Sequence, residues 1–183
     1  MGLAALVRFA EARRPARLDA AGAMVPPDRQ EVGLWRADLI HEGVRLLDRA
    51  AEMGRSGPRQ LLAAVHASHC ARIEGRPTPW PDIAALYEIL MLVRPHAATA
   101  VNRAVAIGEA RGAEEGLAAL AAITGVEGWL PYQAARAGLC VKAGRRAEAA
   151  CALKSALALS PAPAERLWLE RQLRNLDEGS ASG

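Results

Sequence analysis

Apolar side chains recur every three to four residues along nearly the whole chain, the period of a helix with one buried face. Leu3, Leu6, Val7 and Ala10 predict a helix over 3–14, closed by Pro15. Residues 16–27 read as a turn-rich connector punctuated by Gly22 and Pro26-Pro27. Leu34, Trp35, Ile40, Val44, Leu46 and Leu47 suit one broad stripe and predict a second helix over 28–53, stopped by Gly54-Arg-Ser-Gly-Pro58. Beyond Pro58, shorter apolar segments alternate with breaks. They predict helices near 58–74, 81–93, 98–111, 113–123, 131–143, 146–159 and 163–176. The expectation is an all-α chain of about nine helices with no strand.

The breaks repeat. Asp82–Pro95 and Arg146–Pro161 are both apolar helices ending in proline, and the prolines lie 66 residues apart, or two periods of 33. Gly112 and Gly144 each end a helix, 32 residues apart, and each is followed by a glutamate and an Ala/Leu-rich stretch. Glycine permits the positive φ of a helix-ending turn, small alanines such as Ala104, Ala135 and Ala149 permit close pairing, and proline ends the second helix. This helix–turn–helix–proline unit resembles the tetratricopeptide (TPR) repeat. The resemblance implies a TPR-like helical repeat array, an α-α superhelix, that stacks to bury a continuous core and leaves a concave face. The repeat from Pro58 to Pro95 is the weakest, its turn lengthened by Arg76–Pro81.

Composition supports this picture. Apolar residues make up 51% of 183 residues and aromatics only 4%, so a core of small side chains is expected. The net charge is +3, carried by scattered arginines; Lys142 and Lys154 are the only lysines. That distribution lacks the single basic face of a nucleic-acid binder. Three cysteines without a CxxC pair and without a signal peptide predict buried, reduced thiols and a cytoplasmic setting. No apolar run approaches the 18 residues of a membrane span.

Candidate chemistry is sparse. His66, His69 and Cys70 share a helix, but further metal ligands are not evident, and the pattern predicts one packed and one solvent-facing histidine. His41 and His96 read as surface or junction residues. No GxSxG, Walker loop, dinucleotide motif or acidic pair is present, so no enzyme activity, metal or cofactor is expected. Trp80, between two prolines, reads as a packing plug. Trp35, Trp129, Trp168, Tyr87 and Tyr132 read as core. The polar residues that point to binding are Asn102 and Arg103 on one repeat's first helix and Arg136 on the next, where they could clamp a carboxylate. Arg13, Arg14 and Arg17 form a short basic cluster suited to an acidic neighbour.

Several stretches, in order, resemble one family. They are Ala12–Arg17, Leu34-Trp35 with Leu39–Gly43, Gln60–Ala64 with His69, Trp80–Tyr87, Val101–Val105, Tyr132 with Ala134–Arg136, and Arg166–Leu173. Together they are similar to bacterial extracytoplasmic-function sigma factors carrying a long TPR-like C-terminal extension. Arg59 stands where that pattern has an aromatic residue. The resemblance implies a linking two-helix segment over 1–57, repeats over 58–176 and a disordered tail over 177–183. It implies that the sigma regions that contact RNA polymerase and promoter DNA are missing here. It also implies that this chain regulates transcription initiation by holding those regions, the polymerase or a signalling protein. A free-standing TPR-like adaptor for a peptide is the alternative, and a small-molecule sensor or enzyme using the groove a third.

Overall fold

The computed structural model describes residues 1–54 and 57–178. Residues 55–56 of the expected stop and 179–183 of the expected tail lie outside them. The described residues form nine α-helices: α1 Gly2–Ala12, α2 Ala37–Glu52, α3 Pro58–Cys70, α4 Trp80–Val93, α5 Ala97–Arg111, α6 Ala113–Ala121, α7 Leu130–Lys142, α8 Arg146–Ala158 and α9 Pro163–Glu178. Among them no extended strand occurs, only an isolated bridge between Leu18 and Met24. The all-α expectation holds, with helices close to where the periodicity put them. Asp177 and Glu178, expected in the tail, belong to α9.

The second helix is the main departure. It starts at Ala37 and not at residue 28. Pro27–Arg29 and Val32–Leu34 form single 3₁₀ turns, and Trp35 and Arg36 are extended. Tertiary bonds hold them so. Arg72 donates to the carbonyls of Pro27 at 2.8 Å and Gln30 at 3.1 Å, and its guanidinium lies 5.5 Å from the Trp35 ring centroid. The Arg36 N–H donates to the Ala12 carbonyl at 3.0 Å. A helix here would forfeit all of these.

The chain divides into two compact units. One comprises residues 1–17 and 25–95; the other comprises 18–24 and 96–183. In the first, α1 packs on both α2 and α3, and α3 pairs with α4. Ala5, Phe9, Ala12 and Ala16 supply the buried stripe of α1 and its following turn. Phe9 is fully buried, worth about 3 kcal/mol over an exposed ring. The expected boundary at residue 57 falls inside this unit, because α3 turns back onto α1.

The second unit carries the repeat in its regular form. α5 pairs with α6 and α7 with α8; α5 also meets α7, and α9 closes on α8. Gly112 (φ 113°) and Gly144 (φ 73°) make the two equivalent turns. Close approach is literal between α5 and α6: a Cβ on Gly116 would stand 2.7 Å from the Gly108 Cα and 2.9 Å from the Ala104 carbonyl oxygen. Ala149, Ala152, Leu153 and Ala156 give α8 its buried stripe at helical spacing. Surface pairs echo the period: Lys142–Glu109 at 2.6 Å and Arg145–Glu114 at 2.5 Å tie residues 33 and 31 positions apart.

Candidate functional site

The second unit holds a groove of about 280 Å³ on its first-position helices. Val101, Asn102 and Val105 of α5, Leu130, Pro131, Ala134 and Ala135 of α7, and Trp168 and Leu169 of α9 line it. Sequence order explains the gathering. Each repeat turns at glycine, so first helices stack beside one another and their shared face is exposed. The lining is apolar, with Asn102 an exposed carboxamide at its side and Glu165 near the start of α9. That glutamate accepts from the Ala162 N–H at 3.1 Å, capping its own helix.

Of the candidate binding residues on these helices, Asn102 lines the groove and Arg103 and Arg136 do not. Arg103 follows it on α5 and is half-buried. Arg136 occupies the matching position on α7 and lies 3.8 Å from Glu148 of α8, an intra-repeat ion pair. Trp168 was read as helix core from the sequence, and Leu169 belongs to the Arg166–Leu173 stretch; their place in the groove depends on α9 closing the stack. Trp129 is half-buried against the Val101–Leu139 cluster. Cys70 and Cys140 are buried, but Cys151 is exposed, a correction to the expectation for all three thiols. It lies off the Ala149–Ala152–Leu153–Ala156 stripe of α8.

The first unit gathers polar groups inside. Arg13 is 6% exposed, and its Nη2 meets His66 Nδ1 at 2.7 Å. Its Nε and Nη1 are buried and have no protein partner, as are Trp35 Nε1 and His69 Nδ1. The His69 ring stands edge-on to Trp80, with centroids 5.3 Å apart. Burial, reinforced by the nearby Arg13 charge, lowers both His66 and His69 to about 4. Burial likewise lowers the Arg13 pKa and raises the Cys70 thiol to about 11. Both histidines are therefore packed and neutral near pH 7, where the sequence suggested one facing solvent.

The N-terminal basic cluster is split by the fold. Arg13 points into this interior. Arg17 donates to the Ala10 carbonyl at 2.8 Å, satisfying the end of α1, and Arg14 lies exposed 3.4 Å from Glu11. No group of three His, Cys, Asp or Glu among the described residues could hold a metal ion. Among the same residues no helix is long and apolar enough to cross a membrane.

Residues 1–51 match the model of a family of unknown function, DUF6596. An uncharacterized protein of Rhizobium meliloti (strain 1021) is 34% identical over 177 residues, covering 96% of this chain and 42% of the relative. The chain thus spans less than half the length of that relative. No solved structure matches.

Proposed function

We propose that this chain is the regulatory, protein-holding C-terminal domain of an extracytoplasmic-function RNA polymerase sigma factor, modulating transcription initiation in the cytoplasm. The groove on α5, α7 and α9 carries the reading: an apolar trough with an exposed carboxamide suits a segment of another protein or of the sigma regions. The relative's greater length leaves room for promoter-binding regions outside the matched stretch. Under this reading promoter DNA is contacted only through those regions. The chain itself performs no catalytic step and needs no cofactor. A partner bound better in the active arrangement would shift the population toward it.

The test is promoter-specific transcription by the full-length protein with core RNA polymerase. Asn102→Ala combined with the groove-filling Ala134→Trp should lower transcript yield while thermal stability stays near wild type. A full-length protein that directs no promoter-specific transcription overturns the sigma reading. Loss of a co-purifying partner without any change in transcription favours the free-standing adaptor.

A further inference from the structure

Arg13 is a cation that the first unit buries without a counter-charge. It is 6% exposed, and its Nη2 meets His66 Nδ1 at 2.7 Å. Arginine keeps its proton, so Nη2 donates and His66 accepts as a neutral ring. Nε and Nη1 are buried with no protein partner. The groups whose charge acts on Arg13 are the Cys70 thiol, the Arg17 guanidinium and the Tyr87 phenol; no Asp or Glu is among them.

Two further orphaned nitrogens belong to the same region. Trp35 is 6% exposed, and its indole N–H, which can only donate, is buried without an acceptor. His69 Nδ1 is buried and unpaired as well. The bond from the Arg36 N–H to the Ala12 carbonyl, at 3.0 Å, joins the residue after Trp35 to the residue before Arg13. Trp35, Ala12, Ala16 and Cys70 pack in one cluster. Arg72 lies 5.5 Å from the Trp35 ring centroid, and the charges of Arg72 and Arg13 both act on His69. Gln30 Oε1, a buried oxygen, bonds none of these donors. The interior is thus positive, with N–H groups in excess.

We propose that this interior binds one small anion of halide size, held by the Arg13 guanidinium and the Trp35 N–H. Burying a charge is costly unless an opposite charge accompanies it. Water would satisfy the orphaned donors one by one but would leave the guanidinium uncompensated; an anion answers both needs. The burial of Arg13 sets the size, because an organic acid or a side chain from another protein could not be enclosed with it. Bound there, the anion would join the end of α1 to the extended residues before α2. The proposal does not rest on the transcription reading.

The probe is chloride, exchanged against gluconate at constant ionic strength so that screening does not change. The thermal midpoint of the complete chain should rise along a saturating curve, by at least about 2 °C once chloride is tenfold above its dissociation constant. Over the same range the His66 and His69 titrations, followed by NMR, should move up, since a nearby anion favours the charged rings. Arg13→Met should abolish both responses. Trp35→Phe removes one N–H and keeps the cation, so it should raise the chloride concentration at half effect about tenfold. Crystals soaked in bromide should show one anomalous peak within hydrogen-bonding reach of Arg13. A midpoint and histidine titrations indifferent to chloride in the wild type overturn the proposal and leave water as the partner of these donors. A response that persists undiminished in Arg13→Met overturns it too. Should Arg13→Met fail to fold, Trp35→Phe and the bromide peak decide: an unshifted half effect together with no peak at Arg13 overturns it.

Discussion

The two units bury different things. The second is closed by small residues, with glycine on glycine between α5 and α6 and an alanine stripe on α8. The first encloses a guanidinium, two histidines and an indole N–H, several of whose polar atoms lack protein partners. Close packing of small side chains needs only local periodicity and turns at the right interval. A polar interior needs particular partners from distant segments, here Arg13 with His66 and Arg72 with Pro27 and Gln30. Regularity therefore marks the unit that presents a groove, and irregularity the unit that joins α1, α2 and α3.

The sharpest way to break this contrast is a methyl group. Gly116→Ala sets a Cβ against backbone atoms at 2.7 and 2.9 Å, which cannot swing aside. It should cost about 3 kcal/mol in urea denaturation, at the upper end of ordinary overpacking. Gly43→Ala in the first unit meets only the Phe9 ring, at 2.8–3.1 Å, and should cost less, about 1–2 kcal/mol. Equal losses would mean that the glycine seam is no tighter than the Phe9 contact.

Acidification should act next, and on the first unit. His66 and His69 have folded pKa values near 4, below their ordinary 6.5. Across that window the unfolded chain binds more protons than the folded one. The stabilisation is whole above pH 6.5 and is lost as pH falls from 6.5 toward 4. Thermal midpoints of wild type and a His66→Gln/His69→Gln variant should therefore converge or cross as pH drops through this range. Parallel curves would show that the rings are not buried as neutral groups.

Arg13→Met sharpens the same point with a smaller change in stability. It removes a desolvated charge and two orphaned donors but also one hydrogen bond, so the net effect should stay within about 1 kcal/mol. The histidine titrations, followed by NMR, should move up from 4 yet remain below 6.5, because burial contributes more than the Arg13 charge. Full return to 6.5 would make the charge the main cause. The smallest effect belongs to the surface of the repeats. Arg145→Gln removes the exposed pair with Glu114, and any loss in thermal midpoint should disappear in 1 M salt.

Much of the fold was legible. The 32-residue spacing of Gly112 and Gly144 marked equivalent turns, and both glycines adopt positive φ as that role requires. Helices α3 to α9 begin within about two residues of their expected starts. The residues 28–36 were misread because Leu34 and Trp35 fit a helical stripe as well as they fit a packed turn. The deciding bonds come from Ala12 and Arg72, which no local window contains. At the groove, Asn102 was legible from its place on a repeat's first helix. Met24, which also lines it, was not. Residues 18–24 carry an ordinary turn composition, and Arg171, whose Nη1 meets Asp19, lies 152 positions after it.

The sequence by itself determined the helices, their glycine turns and the small-residue faces on which they pair, since each depends on residues within a few turns of one another. Tertiary structure decided which arginine of the N-terminal cluster is buried, that both histidines are packed, and that a connector segment shares a groove with α9. Those outcomes turn on partners tens of residues away or more. Whether a polar side chain meets its acceptor or stays in water is settled only when the packed helices bring the two together.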